Sequence, residues 1–398
     1  MLRNRKIVVG ITGGIAAYKM PELIRMMVKK EARVKVVMTG NARQFVTPVT
    51  LQTVSDNPVY TDTFQMVSRR EIDHIALAEW ADIMIIAPAT ANVVGKIASG
   101  IADDLLTTAV TAVKAPVLLC PAMNTNMYTN PVIGLNLKKL SSLGYHIMEA
   151  PSGSLACKTE GPGRLPPLED ILEEIETIFT KKDLQGVRVL VTAGPTREAL
   201  DPVRFITNHS SGKMGYAIAA MARRRGGDVT LVSGPTSIPA PQRVRMVKIE
   251  TALQMHRAVM DNLSEADVVV KAAAVSDYRP VRFSSSKIKK EADTLCLDLE
   301  KNPDIISEIG KKKGNKIVVG FAMETDNLIE NAKKKMCAKR MDLIVANNLS
   351  EAGSGFQYDT NIVTLIDRSG AIEKLPMMEK IDVADAILDR VSALLQKK

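Results

Sequence analysis

Ile7-Val-Val-Gly-Ile-Thr-Gly-Gly-Ile-Ala-Ala17 decides the fold of the first half of the chain. A short apolar run leads into two glycines and then into small residues that can open a helix, which is the pattern of a buried parallel strand that turns into a helix. Val187-Arg-Val-Leu-Val-Thr-Ala-Gly-Pro195 repeats this pattern in the second half. Because a polar, turn-forming stretch at 181–186 separates the two, we expect one domain at 1–183 and a second at 184–398.

Apolar strands alternate with helical stretches along both halves, which predicts parallel sheets covered by helices on both faces. After the two opening strands, the predicted strands lie at 34–38, 83–87, 117–120, 145–148, 228–232, 268–272, 316–320, 343–345 and 362–366. The predicted helices lie at 20–30, 92–98, 104–112, 131–143, 168–182, 213–225, 252–263, 303–312, 328–336 and 380–395. The fold class is therefore α/β, with two doubly wound Rossmann-like domains.

Composition excludes several classes of protein. Of 398 residues, 46% are hydrophobic and only 4% aromatic, so a groove that stacks single-stranded nucleic acid is not expected. No run of about 18 apolar residues occurs, so we expect no membrane span. The four cysteines, at 120, 157, 296 and 337, form no C-x-x-C pair, which favours reduced thiols and a cytoplasmic protein.

The net charge of +9 is unevenly distributed. Residues 187–398 carry 33 Lys and Arg against 26 Asp and Glu, a balance of +7. Such an excess suits phosphate-rich ligands, although solubility alone would also account for it.

Ligands of doubly wound sheets bind beyond the carboxyl ends of the strands, and the motifs of the first half lie at such ends. Gly13-Gly14-Ile15 opens a helix whose N–H groups can bind a phosphate. The segment lacks the pattern G-x-G-x-x-G, which favours a mononucleotide such as FMN over a dinucleotide. Ala87-Pro-Ala-Thr-Ala-Asn92 could contact a flavin, or Thr90 could simply cap the next helix.

Three further positions could carry chemistry. Pro121-Ala-Met-Asn-Thr-Asn-Met127 could orient a carboxylate through an asparagine, or could be an ordinary loop. His74 is a lone histidine, a type more often structural than catalytic. Cys157 lies on a loop of Gly, Ser and Pro and could act as an acid that arrives when the loop closes, or could be incidental.

Taken in order, these segments resemble the homo-oligomeric flavin-containing cysteine decarboxylases, as does Ala102-Asp-Asp-Leu-Leu106. His74, the Pro-x-Met-Asn-x-x-Met segment and Cys157 match that family's catalytic positions, although Lys158 replaces the glycine that usually follows the cysteine. The resemblance implies a flavodoxin-like flavoprotein domain. Its expected FMN-binding residues are Gly13, Gly14, Ile15, Thr39, Thr90, Ala91 and Asn92.

The resemblance also implies a mechanism. FMN oxidises the substrate's cysteinyl thiol towards a thioaldehyde, carbon dioxide leaves, and the resulting ene-thiolate is protonated and reduced again. His74 would be the acid and base, Asn124 would bind the carboxylate beside Met127, and Cys157 would donate the proton.

The motifs of the second half are individually ordinary. Ser210-Ser-Gly-Lys-Met-Gly215 offers hydroxyls, N–H groups and a lysine to phosphate, but the Mg²⁺-binding hydroxyl of a Walker A loop is missing. Ala272-Ala-Ala-Val-Ser-Asp277 ends a strand with small residues that permit close approach of a ligand. Lys287-Ile-Lys-Lys290 is, by itself, more often a solvated surface than a site.

In this order the segments resemble the phosphopantothenate–cysteine ligase domain of the bifunctional coenzyme A biosynthesis proteins, which use CTP with Mg²⁺. The resemblance implies ligation of 4'-phosphopantothenate with cysteine through an acyl-cytidylate, then FMN-dependent decarboxylation to 4'-phosphopantetheine. Lys287 would help to form the acyl-cytidylate and Asn208 would handle it, with Arg204, Asn208 and Ala273 on the substrate side. The expected CTP-binding residues are Ala273, Asp277, Lys287, Pro303, Asp304, Ile305, Ile306, Phe321, Lys335 and Lys339.

The resemblance further implies trimeric decarboxylase and dimeric ligase units, which would combine in a dodecamer, and it assigns no residue to Mg²⁺. We expect small-molecule substrates and neither a nucleic acid nor a membrane as partner. Three alternative functions predict different observations. A dinucleotide oxidoreductase would bind NADPH tightly and contain no flavin, and a nucleic-acid binder would bind DNA or RNA with an affinity that falls steeply with salt. An FMN-dependent decarboxylase of another cysteine substrate would have an inert second half.

Overall fold

The computed structural model describes residues 1–63, 73–154, 160–289, 294–324, 328–348, 355 and 357–396. The chain divides into two compact units, Met1–Thr180 and Lys181–Lys398. The division falls three residues before the boundary expected from the polar stretch at 181–186. Each unit is built on a parallel or largely parallel sheet with helices packed against it, so the prediction of two doubly wound, Rossmann-like domains is confirmed.

The first unit alternates strands and helices along the chain. Its strands are β1 (Lys6–Ile11), β2 (Arg33–Met38), β3 (Val59–Tyr60), β4 (Ile83–Ala89), β5 (Val117–Pro121), β6 (His146–Ile147), β7 (Ser152–Ser154) and β8 (Glu160–Pro162). Its helices are α1 (Met20–Lys29), α2 (Pro48–Ser55), α3 (Asp73–Trp80), α4 (Ala91–Ser99), α5 (Leu105–Ala112), α6 (Thr125–Tyr128), α7 (Pro131–Ser142) and α8 (Leu168–Phe179).

Six described strands of the first unit form a parallel sheet in the order β3-β2-β1-β4-β5-β6. Without the two-residue edge strand β3, the remaining order is that of flavodoxin, in agreement with the flavodoxin-like prediction. Strands β7 and β8 form a separate antiparallel hairpin. The order of the sheet reverses between β1 and β4, and a crevice for ligands is expected beyond their carboxyl ends.

The second unit is larger. Its strands are β9 (Arg188–Ala193), β10 (Arg197–Ala199), β11 (Phe205–Thr207), β12 (Asp228–Ser233), β13 (Arg245–Lys248), β14 (Val268–Lys271), β15 (Tyr278–Pro280), β16 (Leu299–Lys301), β17 (Ile317–Glu324), β18 (Leu343–Asn348), β19 (Thr360–Asn361), β20 (Val363–Asp367), β21 (Ile372–Lys374) and β22 (Met378–Glu379). Its helices are α9 (Lys213–Arg224), α10 (Ala252–Leu263), α11 (Ile305–Lys312), α12 (Leu328–Ala338) and α13 (Lys380–Gln396).

The main sheet of the second unit has the order β13-β12-β9-β14-β17-β18-β20-β21 among the described strands. The first six strands are parallel, and β20 and β21 are added antiparallel at one edge. The order reverses between β9 and β14, just as it does between β1 and β4 in the first unit.

Burial explains why the strands could be read from the sequence. Both faces of each parallel sheet are covered, so β4 is buried along its whole length and the sheet strands β1, β9 and β14 are largely apolar. In the described part of the chain, no helix combines the length and the apolarity that crossing a membrane would need.

The helix predicted at 20–30 is confirmed as α1, but the glycine turn does not lead directly into it. Ile15–Lys19 is a 3₁₀ turn, and α1 starts only at Met20, with Pro21 in its first turn, where a missing N–H costs nothing. Helix α2, which was not predicted, starts with Thr47 as its cap and Pro48 in its first turn. Its Val- and Thr-rich sequence hides the helical period.

Candidate functional site

A cavity of about 920 Å³ opens at the carboxyl ends of β1, β2, β4 and β5. It is formed there because the carboxyl ends of parallel strands meet at one edge of the sheet. All of the residues expected to bind FMN line it, as do the two expected to contact the substrate. These lining residues are Gly13, Gly14, Ile15, Thr39, Thr90, Ala91, Asn92, Asn124 and Met127.

Small residues bring the backbone close to this cavity. A Cβ on Gly13 would lie 2.4 Å from the Cβ of Asn41, so only glycine lets the turn after β1 approach the turn after β2. The hydroxyl of Thr39 is buried, and no described residue provides it with a hydrogen-bond partner. A ligand with a polar group at this point would satisfy it.

A buried threonine ties two walls of the cavity together. Thr12 is completely buried; its Oγ1 donates to the carbonyl of Pro88 at 2.6 Å and accepts from the N–H of Thr90 at 3.1 Å. Thr90 occupies the N-cap position of α4 without capping it through its side chain. The alternative interpretation of Thr90 as the cap of this helix therefore holds for its position and its carbonyl, which accepts from the N–H of Val94 at 2.9 Å, but not for its side chain.

The loop of Asn124 packs against the hairpin of β7 and β8. Asn124 Oδ1 accepts from the N–H of Asn126 at 2.9 Å and so starts α6. The N–H of Met123 donates to the carbonyl of Gly163 at 2.9 Å, just after β8. A Cβ on Gly163 would lie 2.3 Å from the carbonyl oxygen of Met123, and the φ of +131° also favours glycine. Cys157 lies outside the described residues.

Two adjacent cavities open at the corresponding edge of the second sheet. One, of about 500 Å³, is lined by most of the residues expected to bind CTP: Asp277, Pro303, Asp304, Ile305, Ile306, Phe321, Lys335 and Lys339. The other, of about 530 Å³, is lined by Asn208, by the segment 209–215 and by Ala273. Asp277, Phe321 and Lys335 line both, so the two cavities share a wall.

Two charged groups on the 500 Å³ cavity, Asp304 and Lys339, form an ion pair. Lys339 Nζ lies 2.9 Å from Asp304 Oδ2, while Oδ1 of the same carboxylate accepts from the N–H of Ser307 at 3.1 Å and caps α11. Burial acts to raise the pKa of Asp304, but the hydrogen bonds from Lys339 and Ser307 outweigh it and hold that pKa below its usual value. The carboxylate is therefore charged at neutral pH.

Asn208 faces the second of these cavities from the loop after β11. Its amide nitrogen donates to the carbonyl of Ala274 at 3.1 Å, which fixes the side chain beside the residues that follow β14. Lys213, at the start of α9, donates to the carbonyl of Gln357 and to Asp359 at 2.8 and 2.7 Å. Lys380, at the start of α13, lines the same cavity, and burial lowers its pKa to about 8.

Both halves of the chain match protein families. Residues 1–180 match the family described as "Flavoprotein", and residues 184–395 match the "DNA/pantothenate metabolism flavoprotein C-terminal domain". The "Coenzyme A biosynthesis bifunctional protein CoaBC" of Bacillus subtilis (strain 168) is 46% identical over 398 residues, which cover 99% of this chain and 98% of that protein. The chain belongs to the family of coenzyme A biosynthesis bifunctional proteins.

Other members of the coenzyme A biosynthesis bifunctional proteins match over the same length. The protein of that name from Escherichia coli (strain K12) is 44% identical over 402 residues and covers 100% of this chain and 99% of its own length. The crystal structure of the C-terminal domain of a CoaBC protein is 42% identical, with a TM-score of 0.48, and covers 55% of this chain and 100% of that chain. Family membership makes the chain a bifunctional enzyme of coenzyme A biosynthesis, with a flavoprotein decarboxylase domain and a ligase domain.

Three of the expected site residues do not line the described cavities of this bifunctional protein. His74 lies on α3, and its Nδ1 is buried without a hydrogen-bond partner among the described residues. Lys287 is exposed. Arg204 Nη2 donates to the carbonyl of Ile288 at 3.3 Å, and both Arg204 and Ile288 donate N–H groups to the buried carboxylate of Asp201. The segment that carries Lys287 is therefore tied to the turn at Arg204.

Some residues at the cavities were not expected from the sequence. Lys96 and Asp104 line the cavity of the first unit, and the hydrogen bond to Asp103 at 2.8 Å raises the pKa of Lys96 despite the opposing effect of burial. Thr12 directly follows the apolar strand β1, and Lys271 is the last residue of the apolar strand β14. A polar residue that interrupts the end of such a run was the available signal for both.

Proposed function

We propose that the C-terminal unit joins 4'-phosphopantothenate to cysteine at the expense of CTP complexed with Mg²⁺, and that the N-terminal unit then decarboxylates 4'-phosphopantothenoylcysteine with FMN. The product would be 4'-phosphopantetheine. One observation carries the proposal: the residues expected to bind FMN line one cavity together, and most of those expected to bind CTP line another. Because these substrates are phosphorylated intracellular metabolites, we also propose that the protein is cytoplasmic.

The cavity of the N-terminal unit fits FMN in three respects. The turn at Gly13 and Gly14 lines the cavity next to a 3₁₀ turn, and the absence of side chains there would let a phosphate approach the backbone closely. The hydroxyl of Thr39 is buried and can bond to a ligand. The volume of about 920 Å³ holds a flavin and a substrate arm together. When bound, FMN would supply reversible oxidation of the substrate thiol.

The chain's own residues would orient the substrate of this unit. Asn124 Oδ1 accepts from the N–H of Asn126, and its amide nitrogen would donate to the substrate carboxylate. Met127, which lines the same cavity and is 47% exposed, offers apolar contact to the pantothenoyl arm. Cys157 stays the predicted proton donor.

The shared wall of the two C-terminal cavities suits acyl transfer to a nucleotide. A triphosphate beside Lys335 and Lys339 would place its α-phosphate near Asp277 and Phe321, where the other cavity begins. The carboxylate of phosphopantothenate, bound beside Asn208, would attack from that side and release pyrophosphate. Positive charge at this point stabilises the charge that develops on the phosphate oxygens.

We further propose that the protein acts as a homo-oligomer in which a second copy completes each site. His74, Arg204 and Lys287 lie outside the described cavities of their own chain, although each matches a functional position of the family. Ile15 and Tyr18 line the N-terminal cavity and are nevertheless 58% and 60% exposed, which suits coverage by another copy.

Complementation tests this shared site. A chain with His74→Asn and a chain with Asn124→Ala are each expected to lose decarboxylation. Mixed oligomers made by co-expressing the two chains should regain part of the activity, because some of their sites would combine intact residues from both chains. No recovery in purified mixed oligomers would mean that each site is formed within one chain.

Product analysis tests the function itself. The FMN-loaded protein is incubated with 4'-phosphopantothenate, cysteine, Mg²⁺ and either CTP or ATP, and pyrophosphate and thiol products are measured. We expect 4'-phosphopantetheine with CTP and faster pyrophosphate release with CTP than with ATP. Decarboxylation of added phosphopantothenoylcysteine without any pyrophosphate release would leave only a decarboxylase and refute the ligase function.

Two substitutions test the proposed division of the ligase reaction. Lys287→Gln should prevent formation of the acyl-cytidylate, whereas Asn208→Asp should allow it to form and accumulate. Mass spectrometry of quenched reactions distinguishes the two outcomes. Absence of the intermediate from the Asn208→Asp reaction would contradict the role assigned to this asparagine.

A further inference from the structure

Lys271 is placed between the two cavities of the C-terminal unit. It is the last residue of β14, the strand at which the order of the sheet reverses, and it lines both the cavity of Asp304 and the cavity of Asn208. Its Nζ donates to the carbonyl of Ala273 at 2.9 Å, only two residues further along the chain. A long cationic side chain is thereby folded back at the carboxyl edge of the sheet, where ligands of this fold bind.

The charges around Lys271 come from three parts of the unit. Lys335 on α12 and Lys339 just after it face Lys271, as do Asp304 before α11 and Asp277 after β14. Burial, which is the largest cause, and the positive charges of the two lysines together lower the pKa of Lys271 to about 8, and the two carboxylates oppose them only in part. Asp304 is itself paired with Lys339 at 2.9 Å.

We propose that Lys271 is a further ligand for the phosphates of the nucleotide and that it takes up a proton from the solvent as they bind. The proposal rests on the function proposed above, namely the use of a nucleoside triphosphate by this unit. In the free enzyme, part of the Lys271 population is a neutral amine bonded to a backbone carbonyl. A polyanion in the adjacent cavity favours the ammonium form, because opposite charge nearby raises the affinity of an amine for a proton.

The proton uptake has a predictable size. A group with a pKa of about 8 is about three-quarters protonated at pH 7.5 and about one-quarter protonated at pH 8.5. Binding that makes the lysine fully cationic therefore takes up about 0.25 proton per site at pH 7.5 and about 0.75 at pH 8.5. The nucleotide contributes no proton change at these pH values, because the last phosphate ionisation has a pKa near 6.

Calorimetry measures this uptake. Preformed Mg·CTP is titrated into the FMN-loaded full-length protein, without phosphopantothenate, in buffers of equal pH and different ionisation enthalpy. We expect uptake that rises from pH 7.5 to pH 8.5 in the wild type. Lys271→Met should remove the uptake and weaken binding by about 10- to 100-fold, the value of a charge-assisted hydrogen bond.

Two further variants separate charge from structure. Lys271→Arg keeps a cation that cannot lose its proton, so it should bind Mg·CTP without taking up a proton. Lys248→Met removes an exposed lysine on β13, away from both cavities, and should leave uptake and affinity unchanged.

The outcomes separate this inference from the proposed function. Binding of Mg·CTP without uptake, or with equal uptake in Lys271→Met, overturns the inference and leaves the ligase function standing. Uptake with Mg·ATP but no binding of Mg·CTP supports the role of Lys271 and overturns the use of CTP. Failure of Mg·CTP, Mg·ATP and tripolyphosphate alike to bind overturns both.

Discussion

Replacing Thr12 by valine removes one hydroxyl from the N-terminal unit and keeps the shape of the side chain. In the wild type this hydroxyl donates to the carbonyl of Pro88 at 2.6 Å and accepts from the N–H of Thr90 at 3.1 Å. It therefore connects the end of β1 to the turn after β4, and both segments line the proposed flavin cavity. We expect the substitution to lower both the stability of this unit and its affinity for FMN.

The magnitude follows from burial. The carbonyl of Pro88 would be left without a partner in a fully enclosed place, at a cost of about 1–3 kcal/mol in the free energy of unfolding. The N–H of Thr90 is only partly buried, so water can replace most of its lost bond. If displacement of the turn removes about 1–2 kcal/mol from flavin binding, FMN affinity falls by about 5- to 30-fold.

The chain offers a convenient probe for the measurement. Trp80, its single tryptophan, lies on α3 in the first unit, so tryptophan fluorescence in urea follows the unfolding of that unit alone. FMN affinity is measured by titrating the apoprotein and following flavin fluorescence. Thr12→Ser is the matched control, because it keeps the hydroxyl and loses only a methyl group, worth about 0.5–1.5 kcal/mol.

Comparison of the two variants decides the question. The serine variant should bind FMN almost as tightly as the wild type, and the valine variant should not. Equal FMN affinity in the valine variant and the wild type would refute the positioning role of the hydroxyl. Equal stability would refute the reasoning from the unpaired carbonyl.

Three further predictions follow from other parts of the structure. Gly163→Ala would press a Cβ against the carbonyl of Met123, so the rate of decarboxylation should fall by about a hundredfold. Pyrophosphate release by the C-terminal unit is the internal control and should stay at the wild-type rate. A wild-type rate of decarboxylation would contradict the tight packing at Gly163. Arg225→Met would leave the carboxylates of Asp183, Asp385 and Asp389 without their fully buried partner, so the free energy of unfolding of the C-terminal unit should fall by about 3 kcal/mol. Circular dichroism in urea measures the loss, and Arg225→Lys should be intermediate. An unchanged free energy of unfolding in Arg225→Met would mean that solvent already screens these carboxylates. Burial lowers the pKa of Lys380 to about 8 in the folded protein, whereas the unfolded chain binds this proton up to a pH of about 10.4. The free energy of unfolding should therefore rise with pH between these two values. Lys380→Met should flatten the rise in urea midpoints from pH 7.5 to 9.5, and an equal slope in both proteins would contradict the assignment.

The parallel strands could be predicted because their physics leaves a plain mark on the sequence. A strand covered on both faces needs a continuous apolar run, so β4 and β14 were placed within two residues of their observed ends. Helix α2 has no comparable mark: its residues are β-branched at several positions, and its stability comes from packing Leu51 and neighbouring residues against the core.

Candidate site residues could be predicted where resemblance to a family supplied a motif, but the sequence alone could not show how they are grouped. Lys271 illustrates the difficulty, because only the position of β14 between β9 and β17 shows that its side chain stands between two cavities. Arg204 and Lys287 show the converse, since a motif match does not say whether a residue reaches the cavity of its own chain. That depends on tertiary structure and, as proposed above, on a second copy.

The two units solve one structural problem in the same way. Where the order of each sheet reverses, two neighbouring strands send their following turns in opposite directions and a crevice opens between them. In the first unit, the Thr12 hydroxyl bridges this crevice from β1 to the turn after β4. In the second, the hydroxyls of Thr192 and Thr196 accept from the N–H groups of Ala273 and Ser276, at 3.2 and 3.1 Å, and bridge from β9 and its turn to the segment after β14.

A threonine suits this position for a physical reason. Its methyl group packs in the apolar interior of the sheet, while its hydroxyl satisfies a backbone group of the neighbouring turn that the crevice would otherwise leave without a partner. The turn is held in place without a charged or bulky group entering the ligand cavity. Substitutions at these threonines should therefore act on ligand affinity through the position of the turn, even though none of the three hydroxyls needs to contact the ligand itself.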